Sequence, residues 1–191
     1  TVDSVWFMSF VPVSNYKLYG ANILNSKHCK FMRNHFMAPN ATQVNAGGFN
    51  LGFYHMIQFD STQFAIVGNS FSGAQGSAIT VSAASGGGKG TISDNEMQNC
   101  ANYQGFGVIS ILDGGYISIS GNQMTGGGIG VLSNAAGLSI TSNVITGMTS
   151  NGIYLQGSSS KNIVRGNVLL GNANVGVRDF GTANTVGVNI T

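Results

Sequence analysis

Charge is what this sequence has least of. Asp, Glu, Lys and Arg together make up 7% of its 191 residues, against roughly 25% in an ordinary soluble domain. Helices draw their solvent faces from Lys, Glu and Arg, so the shortage leaves little material for an amphipathic helical fold. The eight Lys and Arg residues are spread along the chain, and a formal charge of +2 without a basic cluster excludes a nucleic-acid surface. Cysteine occurs twice. Cys29 lies beside a strand pattern and Cys100 in an expected loop, which reads as two unpaired thiols. Long apolar runs are missing too: Val5 to Val13 is broken by Ser9 and Pro12 and is far too short to cross a bilayer. The opening TVDSVWF has no basic start and no cleavage pattern, so it is not a signal peptide. The expectation is a piece of a longer chain, with no membrane insertion.

In place of charge stand 29 Gly, 21 Asn, 21 Ser and 12 Thr, 83 residues in all. Yet 42% of the chain is hydrophobic, enough for a core and too much for a disordered Gly/Ser linker.

The same short pattern recurs along the chain: an apolar residue, two small or polar ones, Asn, any residue, then an apolar one. It reads FMRNHF (31–36), IVGNSF (66–71), ISDNEM (92–97), ISGNQM (119–124), ITSNVI (140–145) and VRGNVL (164–169), with YGANIL (19–24) as a weaker copy. The asparagines Asn34, Asn69, Asn95, Asn122, Asn143 and Asn167 are spaced by 35, 26, 27, 21 and 24 residues. Between them runs a second element, a short alternating strand often opened by Gly: MIQF (56–59), AITV (78–81), VISIL (108–112), GIGV (128–131), GIYL (152–155) and VGV (175–177). Each repeat thus holds at least two short strands punctuated by Gly, Asn and Ser turns, and no apolar stripe of helical period is present.

Such a unit cannot bury its own apolar face and must stack on copies of itself. The spacing is too short for a four-stranded propeller blade and matches one coil of a single-stranded right-handed parallel β-helix. The expected architecture is an all-β solenoid of about six to seven coils over residues 17–191. Residues 1–16, rich in apolar side chains but without a repeat asparagine, are expected to form an irregular N-terminal coil or cap that shields the open end. The repeated Asn is expected to take the strained turn conformation itself and to hydrogen-bond from coil to coil as a ladder.

On these repeats the chain resembles the pectate-lyase-like superfamily of right-handed β-helices over about residues 17–188. Its low-charge, Gly/Asn/Ser-rich style most resembles bacteriophage tailspike and tail-fibre proteins. The resemblance implies a homotrimer on the virion tail, outside the cell, that binds a host-surface polysaccharide and in many such proteins cleaves it. A purely structural or adhesin module on the same scaffold is the remaining alternative.

Departures from the repeat mark where a site would lie, since loops leaving a rigid scaffold carry function. From the repeat asparagine to the end of the second strand takes about 9 to 12 residues in most coils, but 25 after Asn34 and 16 or 17 after Asn95. These expansions leave the same side of the rod and would wall a groove carrying Tyr54, His55, Tyr103 and Phe106, with Lys89 near. Aromatic faces suit the C–H faces of sugar rings, so these five are the candidate substrate-binding residues. The alternative reading has the rings covering a coil edge or a subunit contact.

Cleavage of a glycosidic bond takes two carboxyl groups at a defined separation. The six acids are Asp3, Asp60, Asp94, Glu96, Asp113 and Asp179. Asp94 and Glu96 flank Asn95 and form the first candidate catalytic pair; Asp60 and Asp113, two coils apart, form the second. For each, a solvated turn carboxylate is the plain alternative. A lyase reaction needs a calcium-binding acid cluster, and none is visible beside Arg33, Arg165 or Arg178. His28, His35 and His55 lack metal-ligand spacing, and no metal or cofactor is expected. The Gly-rich SGGGKGTISDNEMQN (85–99) is no phosphate loop, because Gly90 rather than Ser or Thr follows Lys89 and a strand rather than a helix follows the glycines. It reads as an enlarged turn.

Overall fold

The structure, a computed structural model, describes residues 1–8, 19–26, 28–37, 55–61, 63–82, 88–101 and 105–191. The chain winds through successive turns of three short strands. The first turn is β1 (Val2–Asp3), β2 (Trp6–Met8) and β3 (Tyr19–Ser26), and the second is β4 (Cys29–Met32), β5 (His35–Met37) and β6 (His55–Ser61). Then come β7 (Gln63–Val67), β8 (Ser70–Ser72) and β9 (Ile79–Ser82), followed by β10 (Lys89–Ser93), β11 (Glu96–Cys100) and β12 (Gly107–Asp113). The fifth turn holds β13 (Ile117–Ser120), β14 (Gln123–Gly127) and β15 (Ile129–Ser133), and the sixth β16 (Ser139–Thr141), β17 (Val144–Thr146) and β18 (Ile153–Leu155). In the seventh, β19 (Ile163–Arg165) and β20 (Val177–Asp179) flank Val168, which bridges to Val144 on one side and Ile190 on the other; β21 (Thr185–Val186) opens the next.

Equivalent strands of successive turns pair in parallel, which makes three long sheets of eight, six and seven strands. The first runs β1-β4-β7-β10-β13-β16-β19-β21, the second β2-β5-β8-β11-β14-β17, and the third β3-β6-β9-β12-β15-β18-β20. This is the parallel β-solenoid that the repeat spacing predicts.

Alternation within each strand builds the core. On the first sheet Phe31, Ile66, Ile92, Ile119, Ile140 and Val164 stand in register, one per turn, and each is at most 1% exposed. The second sheet contributes Phe36, Phe71, Met97, Met124 and Ile145, with the Phe36 and Phe71 rings stacked 4.9 Å apart. The third contributes Ile79, Ile109, Val131 and Ile153. Each fully buried Ile or Leu is worth roughly 1.5–3 kcal/mol over its exposed state. A slip of one residue would turn a whole column outward, so the pattern fixes the register.

The repeat asparagines form the expected ladder between the first and second sheets. Asn69 Oδ1 accepts the backbone N–H and the Nδ2 of Asn34, at 2.9 and 3.0 Å, while Asn69 passes the same pair of bonds to Asn95 Oδ1. The chain of amides continues through Asn122, Asn143 and Asn167 and ends at Asn189, one rung beyond the last that the repeat reveals. One expectation is corrected. The left-handed residue is not the asparagine but its predecessor: Arg33, Gly68, Asp94, Gly121, Ser142 and Gly166 have φ between 54° and 67°. That residue bends the chain, and the asparagine behind it turns its amide inward.

Other readings change as well. YGANIL is no ladder turn, since Tyr19–Ser26 is one strand of the third sheet in which Asn22 pairs with Gln58. Cys100 is not in a loop: it ends β11, fully buried, and burial pushes its thiol up to about 11. Cys29 is half-buried, and both thiols are free. At the start of the chain, β1 and β2 already pair with β4 and β5, and Val5 N–H takes the ladder place by donating to Asn34 Oδ1 at 2.9 Å. Arg33 Nε donates to Asp3 Oδ1 at 3.0 Å, and its Nη2 pairs with Oδ2, which holds the Asp3 carboxyl below its ordinary range.

Candidate functional site

The corner between the second and third sheets is where the repeat departs from regularity. In the fifth turn β14 ends at Gly127 and β15 begins at Ile129, with one residue between them. In the second turn the passage runs from Met37 to His55, and in the fourth, counted between positions in register, Gln98 to Ile109 takes eleven steps where Ser72 to Ile79 and Thr146 to Ile153 take seven. The second- and fourth-turn passages therefore leave the same corner, two rungs or about 10 Å apart, and the first-turn passage from Met8 to Tyr19 leaves it as well. Tyr54 and Tyr103 lie outside the described residues, with 38–54 and 102–104. His55 opens β6 with its backbone paired to Tyr19; its side chain is outside the described part. Phe106 is half-buried and packs against the core.

The turn between these two expansions contributes a group that no motif in the sequence marks. Gln75, between β8 and β9, is 5% exposed, and neither its Oε1 nor its Nε2 meets a partner among the described residues. A buried amide left unpaired costs about 1–3 kcal/mol. Close by in sequence, Ser77 Oγ donates to Ser110 Oγ at 2.8 Å, and Gly107 N–H donates to the same Ser110 oxygen at 3.0 Å. Buried hydroxyls and an unsatisfied amide thus belong to the corner from which both expansions leave.

The candidate acids fall at two places. Asp94 occupies the left-handed turn position ahead of Asn95, and Glu96 opens β11 behind it; both are exposed. Asp94 reaches over the next turn, where a Cβ on Gly121 would stand 2.6 Å from its Oδ1. Glu96 accepts a hydrogen bond of 2.7 Å from Gln98 Nε2. Asp60 and Asp113 sit at the far ends of β6 and β12 rather than in the turns after them. These strands are separated by β9 alone, so the two positions are two rungs apart. Asp113 is exposed and accepts the Gly114 N–H at 2.7 Å, while the Asp60 side chain lies outside the described residues.

Lys89 is the first residue of β10, and its ammonium stands 5.4 Å from the centre of the Tyr116 ring. The glycine after it has a packing reason. A Cβ on Gly90 would meet the Phe64 ring at 2.6 Å, so no other residue fits without moving a core aromatic. Among the described residues no group of three His, Cys, Asp or Glu side chains is arranged to hold a metal ion.

A second, shorter ladder went unread in the sequence. Asn162 Oδ1 accepts the Leu138 N–H at 2.8 Å, and Asn162 N–H donates to Asn184 Oδ1 at 3.0 Å. Only two turns carry it, so no repeat exposes it.

Three parallel sheets wound round one core, with stacked amides at a corner, define a β-solenoid. The family model described as right handed beta helix region matches residues 19–190. The chain belongs to that family. No curated protein and no solved structure matches it.

Proposed function

We propose that this β-helix is a receptor-binding domain of a bacteriophage tail fibre or tailspike, a homotrimer of the virion tail that recognises a host-surface polysaccharide. The observation that carries the reading is the pair of long passages leaving one corner of the rod two rungs apart. Between them a glycan would meet the aromatic residues Tyr54, Tyr103 and Phe106 and the polar groups of His55. The low charge of the chain fits a ligand bound by ring faces and hydrogen bonds. Binding of purified capsule or O-antigen polysaccharide, read by surface plasmon resonance, tests it. Tyr54→Ala with Tyr103→Ala is expected to lower affinity at least tenfold, and unchanged binding by the double variant would refute the corner as the site.

A second reading, cleavage of the same polysaccharide, centres on Asp94. Three other turns fill its left-handed position with glycine, but Arg33 and Ser142 share that backbone in two more, so the reading rests on the exposed carboxylates of Asp94 and Glu96 rather than on strain. Asp94 with Glu96, or Asp60 with Asp113, would serve as the carboxyl pair. New reducing ends released by the wild type and lost in Asp94→Asn would establish it. A structural or adhesin module would bind and release nothing.

A further inference from the structure

We propose that Tyr154, Arg178 and Phe180 form a second saccharide subsite, selective for a sugar bearing a carboxylate; it rests on the glycan-binding reading of the rod but not on the loop corner. In β18 Ile153 and Leu155 face the core at 0% exposure, so Tyr154 between them faces out. Arg178 is its register partner on the next rung, and Phe180, 56% exposed, follows two residues later on the same side. The outward residues of the same column on earlier rungs, Thr80, Ser110 and Leu132, are all buried. Along the described part of this column the sheet opens to solvent at Tyr154 and Arg178.

The three side chains are already organised around one another. The guanidinium carbon lies 4.7 Å from the Phe180 ring centre and 5.7 Å from that of Tyr154, and the two rings meet edge to face at 5.9 Å. Stacking occupies the face of a guanidinium and leaves its in-plane N–H donors open. Among the described residues the Arg178 guanidinium makes no ion pair or hydrogen bond. Its neighbour Asp179 stands in the core-facing column behind Leu155, and its Oδ1 accepts the Gly181 N–H and Asn184 Nδ2, each at 2.8 Å.

A planar fork of donors held between aromatic rings matches a carboxylate bidentately, whereas a lysine ammonium would not. The exposed Phe180 ring and the Tyr154 edge offer apolar surface to the C–H face of the sugar that carries it. Uronic and sialic residues combine the two features. A neutral hexose would use the rings and leave the fork unmatched, and this difference is the source of the selectivity.

Calorimetry of the full chain with hexagalacturonate and with maltohexaose tests the proposal. Hexagalacturonate is expected to bind at least tenfold more tightly than maltohexaose. Arg178→Gln should remove that margin, Arg178→Lys should keep less than a third of it, and Phe180→Ala should weaken both ligands about fivefold. All three positions are at the surface, and circular dichroism verifies that the variants fold. Equal affinity for the two oligosaccharides, no binding of either, or an unchanged Arg178→Gln would overturn it. So would a change of oligomeric state in Phe180→Ala by light scattering, which would make the patch a contact between copies. Host-polysaccharide binding lost in Tyr103→Ala and intact in Arg178→Gln would sink this subsite and leave the corner standing; the reverse pattern would sink the corner alone.

Discussion

The side-chain oxygen of Asn122 accepts two hydrogen bonds from Asn95, one from its backbone N–H at 3.1 Å and one from its Nδ2 at 2.9 Å. Asn122 in turn donates to Asn143 Oδ1, so each amide completes the one before it. Asn122→Ala would remove the one oxygen that accepts both Asn95 donors and leave them where no water reaches. The expected loss is about 3–5 kcal/mol, read as a shift in urea midpoint at unchanged slope. Asn189→Ala removes the corresponding pair at the half-exposed end of the ladder, where solvent replaces what is lost, and should cost about 1 kcal/mol. Equal costs at the two positions would mean that the ladder is decoration.

The turn ahead of each ladder asparagine gives the second prediction. Ser142 has φ 57° where Gly68, Gly121 and Gly166 hold the equivalent place. A left-handed backbone costs a residue with a Cβ about 1 kcal/mol, part of which glycine returns through its floppier unfolded chain. Ser142→Gly should therefore raise stability by about 0.5 kcal/mol in thermal melts. Asp94→Gly should do the same, with one difference: if Asp94 is a catalytic acid, the more stable protein loses all release of reducing ends.

Those two positions show what the sequence can carry. The ladder from Asn34 to Asn167 is legible because each rung repeats its apolar neighbours. Asn189 escapes notice because Thr191 stands where the pattern wants an apolar residue. YGANIL imitates the pattern by composition, yet Ala21 and Ile23 are alternate residues of one strand, in register with Ile57 and Phe59. The site is less legible for a physical reason. A loop that leaves the coil has no counterpart on the next rung to align with, and Tyr154 meets Arg178 only because strand register brings residues 24 apart side by side. Periodicity encodes the scaffold; what departs from it must be seen folded.

The glycines that open the strands of the third sheet supply the third prediction. A Cβ on Gly152 would stand 2.7 Å from Gly176 O and 2.9 Å from Asn172 Nδ2. The first of these is backbone of the next rung and cannot swing aside. Gly152→Ala should cost about 3 kcal/mol by forcing two rungs apart. Gly157→Ala is the control, since its Cβ would meet Phe180 O at an ordinary 3.9 Å, and stability should stay within about 0.5 kcal/mol. Differential scanning calorimetry of the two variants separates close approach from a general need for glycine.

Cys100 ties stability to alkaline pH. Its thiol is fully buried at the end of β11, and desolvation raises it from 9.0 to about 11, against weaker lowering by backbone N–H groups of Ala74 and Gly73. The unfolded chain releases this proton near pH 9 while the folded chain still holds it. The unfolded state therefore binds fewer protons between these values, and stability falls as pH rises. The contribution is complete below pH 9 and gone by about pH 11, a loss of about 3 kcal/mol. Cys100→Ala removes the titrating group, so the difference between wild type and variant isolates this slope from lysine and tyrosine ionisation common to both. Urea unfolding at pH 8, 9, 10 and 11 should show the two stabilities converging or crossing as pH rises. Parallel curves across that range would place the Cys100 thiol in contact with solvent.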